Sequence, residues 1–162
     1  MGCSPWPVSC RNARGSRGQL RCVVGGGGDA LGFGFFGSDA MVKRIVAGPG
    51  ETISCCDRHG RLLRDGVPLA EPYLNTDFPF QEGSLDCATL PASSRCLPGL
   101  TVPEGHYVML GDNRAHSSDS LSRCRSVPVE DGLACARFVP RDNIVGKVFV
   151  VVLPWSRLGT FI

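Results

Sequence analysis

A chain of 162 residues is near the usual size of one domain and long enough to bury a core, so one folded unit is expected. Its 17 basic and 15 acidic residues leave a formal charge of only +2, and the basic residues are scattered, which argues against nucleic acid as a partner. With 21 Gly, 12 Pro and 7% aromatic residues the balance suits short strands joined by turns, and a mostly β fold is the expected class. The segment from Met1 to about Ser38 differs in kind from the rest. Arg and Gly dominate 11–21, and Gly25 to Gly28 form an unbroken glycine run. Such a stretch cannot repay its own ordering entropy. This leader is expected to be disordered or an out-of-frame reading, with Val23–Val24 and 31–36 as strand remnants. It has no basic start followed by an apolar h-region, so it does not read as a secretory signal peptide. No stretch approaches the ~20 apolar residues that span a bilayer, and the best run is Val148 to Leu153.

From Met41 the texture changes to short β-type runs. Met41–Ala47 (MVKRIVA) carries apolar residues on both faces, Gly48-Pro49-Gly50 is a turn, and Glu51–Cys56 starts a second strand, a pattern that predicts a hairpin. A turn at Asp57–Gly60 leads to a strand at Arg61–Leu63, and 65–69 turns again before Glu71-Pro72-Tyr73-Leu74. The stretch 75–103 carries few strand signals and reads as a surface excursion. A strand follows at His106–Leu110, then a tight Gly-Asp-Asn turn, and 144–153 is the strongest strand signal in the chain. Heptads, fixed repeats and long amphipathic helices are not evident.

Nine cysteines without a paired CxxC pattern suit an oxidising compartment better than a zinc site. Cys87 and Cys96 bracket one short loop and Cys124 and Cys135 another, and both pairs are disulfide candidates, free buried thiols being the alternative. Cys55 and Cys56 would point to opposite faces of a strand, so at most one would meet the core.

Two segments carry chemistry. Lys43 lies in an apolar strand between Val42 and Ile45, and burial lowers the pKa of an amine from ~10.4, which can leave it neutral and able to act as a general base. On periodicity alone, a lysine snorkelling from an edge strand explains the same pattern. The second segment is Tyr107–Ser120 (YVMLGDNRAHSSDS), where an apolar strand runs into Gly111 and a crowd of short polar side chains. A solvated polar loop is its plainer explanation.

Taken together, KRIVAGPGE (Lys43 to Glu51) and GDNRAHSSDSL (Gly111 to Leu121) resemble the two signature boxes of the bacterial type I signal peptidases, serine/lysine endopeptidases of family S26. The resemblance covers about Ser38 to Phe161, includes the EPYL-like stretch at 71–74 and the closing GKVFVVVLPWSRLGTF, and has an actinobacterial look in its cysteine-containing insert at about 75–100. Ala47, Glu51 and Leu121 depart from the boxes. The resemblance implies a signal-peptidase/SOS-repressor-like β-rich catalytic core over 39–162. Lys43 would be the general base and Ser117 the hydroxyl that orients its amine, with Arg44, Asp112, Asn113, Arg114, Asp119 and Ser120 supporting the site. It implies no metal or cofactor, signal peptides of preproteins and the membrane surface as partners, a monomer, and a place at the cell membrane with the catalytic domain outside the cytoplasm. The family's serine box and membrane anchor are expected to be missing from the N-terminal part. The nucleophile is therefore unassigned, with Ser4 in Ser-x-x-Pro spacing as the candidate and Ser9, Ser16 and Ser38 less supported. An inactive β module that binds extended peptides is the alternative reading. A self-cleaving SOS-type repressor would call for a DNA-binding helix-turn-helix that the leader cannot supply.

Overall fold

The computed structural model describes residues 21–25, 40–125, 132–148, 150–151 and 159–160. Among these the chain is mostly β. The strands are β1 (Arg21–Gly25), β2 (Ala40–Ala47), β3 (Thr52–Cys55), β4 (Leu62–Arg64), β5 (Val67–Pro68), β6 (Leu97–Thr101), β7 (His106–Leu110), β8 (Val139–Pro140), β9 (Ile144–Lys147), β10 (Val150–Val151) and β11 (Gly159–Thr160). Helical structure is confined to one turn, α1 (Gly132–Cys135), and 3-10 turns at Arg114–His116 and Arg141–Asn143.

Strands β8-β7-β2-β1-β9 form one antiparallel sheet in that order, and β5-β4-β3-β6 form a second. The main core lies between them. It gathers Val46 and Ala47 of β2, Ile53 of β3, Leu97 and Leu100 of β6, and Val108 and Leu110 of β7, with Val102, Leu121 and Cys124 beside them. The other face of the first sheet buries a smaller cluster, Ile45, Met109 and Val139, with Tyr107 and Ile144 packed on it. The second half of β2, Arg44–Ala47, is thus buried on both faces, which explains its apolar residues without strict alternation.

The predicted hairpin across Gly48-Pro49-Gly50 does not form. β2 already has β1 on one side and β7 on the other, so the turn carries the chain to the second sheet, where β3 pairs with β4 and β6. Gly50, at φ +76°, donates its N–H to Val102 O at 2.9 Å, and Val102 returns a bond to Glu51 O at 2.9 Å. The surface excursion also holds a strand that the sequence hides. β6 contains Pro98 and Gly99, which read as turn residues, yet Leu97 and Leu100 are 6% and 1% exposed and pair with β3. Within 144–153, Ile144–Lys147 form β9 in the first sheet and Val150–Val151 form β10, which pairs with β11. Within the segment read as leader, Arg21–Gly25 forms β1, in register with β2 from Arg21 opposite Arg44 to Gly25 opposite Ala40. The pairing of β-branched Val23 and Val24 with two neighbours supplies what a glycine-rich chain lacks alone.

Cys87 bonds to Cys96 and Cys124 to Cys135. β3 ends at Cys55, whose sulfur is bonded to that of Cys56, so the expected opposite-facing pair is replaced by a vicinal one. Because Cys124 is fully buried against the core, the double substitution Cys124→Ala/Cys135→Ala is expected to cost about 2–4 kcal/mol, read as a drop in urea midpoint.

Candidate active site

The site is built where β2 and β7 meet. Their register sets Arg44 opposite Leu110, the last residue of β7, so the next residue, Gly111, arrives beside Lys43. The chain then turns through Arg114–His116 and returns Ser117 to the same point. Lys43 Nζ donates to Ser117 Oγ at 2.8 Å. A glycine is required at 111 for steric reasons. A Cβ there would stand 2.2 Å from Ser117 Oγ, 2.7 Å from Ser117 Cβ and 3.5 Å from Lys43 Nζ. Gly111→Ala is therefore expected to expel the Ser117 hydroxyl and cut activity by ~10²-fold or more, while circular dichroism stays unchanged. Wild-type rates in this variant would show that Ser117 is not needed beside the amine.

Burial pushes the Lys43 amine below the ordinary lysine range, and the negative charge of Asp119 offsets part of this. A cavity of about 150 Å³ opens beside it, lined by Val42, Lys43, Arg44, Leu110 and Asp112. The arrangement can hold a neutral amine, orient its lone pair through a neighbouring hydroxyl, and present the amine to the cavity.

The surrounding side chains hold this geometry. Arg44 points to the face opposite Lys43 and makes a bidentate pair with Asp112, both N···O distances being 2.9 Å, while its guanidinium lies 3.4 Å from the centre of the Tyr73 ring. Arg114, 2% exposed, pairs with Glu71 and donates to Gly111 O at 3.0 Å. Asp119 accepts from the N–H groups of Gly111 at 3.3 Å and Leu121 at 3.2 Å. Ser120 Oγ accepts from Met109 N–H at 3.0 Å. Asn113 bridges to Thr76 through its backbone, and its Oδ1 lies 3.2 Å from His116 Nδ1. Leu121, standing where the resembling box carries arginine, is packed fully into the core.

The structure thus brings Lys43, Ser117, Arg44, Asp112, Asn113, Arg114, Asp119 and Ser120 into one neighbourhood, and sets the disulfides Cys87–Cys96 and Cys124–Cys135 outside the Lys43–Ser117 contact. Ser4, Ser9, Ser16 and Ser38 lie outside the described residues. Sequence reasoning missed the structural part played by Glu71 and Tyr73. Glu71 pairs with the buried Arg114, Tyr73 Oη donates to Glu71 Oε1 at 2.9 Å, and burial pushes the Tyr73 phenol well above its ordinary range. Their only sequence signal was the presence of EPYL and GDNR in one chain.

The family model described as signal peptidase, peptidase S26, matches residues 28–155. The chain belongs to the S26 signal peptidase family. It is 36% identical over 167 residues to a probable signal peptidase I of Mycobacterium leprae, covering 95% of this chain and 53% of that protein. It is 35% identical over 164 residues to signal peptidase I of Mycobacterium tuberculosis, covering 95% and 50%. Signal peptidase IB of Staphylococcus aureus is 30% identical over 125 residues, covering 74% and 56%. The chain spans about half the length of the curated relatives it matches. Among solved structures, a signal peptidase I from Enterococcus faecalis aligns with 80% of this chain and 94% of its own at 25% identity and a TM-score of 0.45. Among the described residues no helix is long and apolar enough to cross a membrane.

Proposed function

We propose that this chain carries the general base, Lys43, and its orienting hydroxyl, Ser117, in a serine endopeptidase that removes signal peptides from secreted preproteins at the extracytoplasmic face of the cell membrane. The observation that carries this reading is the 2.8 Å contact between Ser117 Oγ and an amine whose proton affinity burial has lowered. Neutral Lys43 takes the proton of the nucleophilic serine, and the alkoxide attacks the scissile carbonyl. The lysinium then protonates the leaving amine, and the same lysine activates the water that hydrolyses the acyl-enzyme. The nucleophilic serine is unassigned, Ser4, outside the described residues, being the weak candidate within this chain.

The substrate adds as an extended strand. β7 ends opposite Arg44, so among the described residues no strand pairs with Met41–Lys43 on that side. This open edge borders the cavity, whose small volume suits the small side chains that precede a signal-peptide cut. The domain works as a monomer at the membrane surface, to which half-exposed Val42 beside the site would contribute.

The test is cleavage of a fluorogenic peptide with alanine at the first and third positions before the scissile bond, by the full chain in detergent. Cleavage at that bond supports the reading. Saturable binding of the peptide without cleavage would favour the non-catalytic β module instead.

A further inference from the structure

Four cysteines that the candidate site does not use meet at one end of the second sheet. Cys55 ends β3 and Cys56 follows it, while Cys96 stands immediately before β6. β3 pairs with β6 with Cys55 opposite Leu97, so the antiparallel register, continued by one residue, runs from Cys56 towards Cys96. Cys87 is brought to the same place by its bond to Cys96. The turn around it is pinned by Asp86, whose carboxylate accepts from the N–H groups of Gly83 at 2.6 Å, Ala88 at 2.7 Å and Thr89 at 3.1 Å.

The two disulfides Cys55–Cys56 and Cys87–Cys96 therefore lie side by side. Cys87 Sγ is 3.9 Å from Cys56 Sγ and 3.9 Å from Cys55 O, and the sulfurs of Cys55, Cys56 and Cys87 all fall within 4.8 Å of one another. Cys87 is exposed, and the other three are half-buried. Disulfides exchange by attack of a thiolate on a disulfide sulfur, so access and proximity decide which partner is attacked. Here an opened disulfide has the other one as its nearest neighbour.

We propose that these four cysteines form a thiol–disulfide exchange site whose co-reactant is a dithiol, and that its two-electron-reduced form carries a Cys56–Cys87 bond. The dithiol opens the accessible Cys87–Cys96 bond and closes its own disulfide, passing two electrons and two protons to the chain. Cys87, as thiolate, then attacks Cys56 Sγ. The Cys56–Cys87 bond forms, the Cys55–Cys56 bond breaks, and the electron pair leaves on Cys55, which takes up a proton. Opening Cys55–Cys56 first leads to the same product, because Cys56 then attacks Cys87 and Cys96 leaves. Either way the chain holds one disulfide of the cluster and thiols at Cys55 and Cys96. The insert's covalent anchor has moved from its own loop to the end of β3, and Cys96 at the root of β6 has been let go.

The test reads the pairing directly. The full chain, its existing free thiols blocked with iodoacetamide, is titrated with dithiothreitol until the cluster has taken up two electrons, then alkylated with N-ethylmaleimide and digested with trypsin. Cleavage after arginine leaves Cys55 and Cys56 in fragment 45–58, Cys87 in 65–95 and Cys96 in 96–114, so each pairing joins different fragments. The expected major product is 45–58 joined to 65–95 through Cys56, with maleimide on Cys55 and Cys96. A major product in which 65–95 is still joined to 96–114 and both Cys55 and Cys56 carry maleimide overturns the proposal. So does one in which Cys87 and Cys96 both carry it and 45–58 is joined to neither. Cys55→Ser gives a second reading without reductant, in protein whose thiols have not been blocked. Its Cys56 thiol should displace Cys96 from Cys87 and leave Cys96 open to alkylation, and a Cys96 that resists alkylation in this variant also overturns the proposal.

Discussion

Lys43→Met is expected to lower cleavage by at least ~10²–10⁴-fold, the contribution of a positioned general base, and at the same time to raise the melting temperature at neutral pH. The second effect follows from the direction of the amine's shift. Burial lowers the Lys43 pKa from 10.5, so over the interval between the folded and unfolded values the unfolded chain binds a proton that the folded chain does not. Stability linked to this group is fully present above the unfolded value and is lost as pH falls towards the folded one. Methionine binds no proton, fills similar space and is free of this loss. Thermal melts from neutral pH to pH above 10.5 should show Lys43→Met ahead of the parent at the neutral end, with the gap closing at the alkaline end. A variant no more stable than the parent at pH 7 would mean that the amine is solvated and the burial argument wrong. The parent's cleavage rate should rise with pH through the Lys43 titration. Lys43→Arg should not rescue it, because a guanidinium stays charged across that range.

Glu71→Leu is the substitution expected to cost most in stability. The side chains of Arg114 and Glu71 are 2% and 7% exposed. Burial works against the Arg114 cation, but Glu71's charge and hydrogen bond outweigh it and raise the guanidinium above its ordinary value. Removing the carboxylate strands the cation and leaves Tyr73 Oη without the acceptor it uses. The expected loss is about 3–5 kcal/mol, a fall in melting temperature on the order of 10 °C for a chain of this size. Cleavage should fall too, since Arg114 also holds Gly111 O. Glu71→Leu/Arg114→Met, which removes both charges, should recover most of the stability. Equal melting temperatures for the single and double variants would show that the pair is not what the buried arginine depends on.

What the sequence made legible was local. The run from Tyr107 into Gly111 and Asp112 marked a strand ending in a turn, because that signal lies within a few neighbouring residues, whereas the apolar flanks of Lys43 fitted a buried amine and a snorkelling one alike. Strand partners were not legible in this way. Gly48-Pro49-Gly50 is as good a signal for a hairpin as for a corner between sheets, and the choice was made by β1 and β7, which occupy both sides of β2. β6 was hidden because Pro98 and Gly99 carry turn propensity that pairing with β3 overrides. Glu71 gave no local sign at all. Its value depends on a buried arginine 43 positions away, and nothing in EPYL itself demands a cation.

Three of the contacts that define the site join distant parts of the chain. Lys43 and Ser117 are 74 positions apart, Arg44 and Asp112 are 68, and Glu71 and Arg114 are 43. Each closes a long loop, so the entropy of that loop is lost before the contact returns anything, and such contacts form slowly. During synthesis the lysine leaves the ribosome well before the residues that orient it. Until the stretch beyond Ser120 has followed, the amine stays hydrated, charged and chemically ordinary. The lowered proton affinity of the Lys43 amine is therefore a late product of folding.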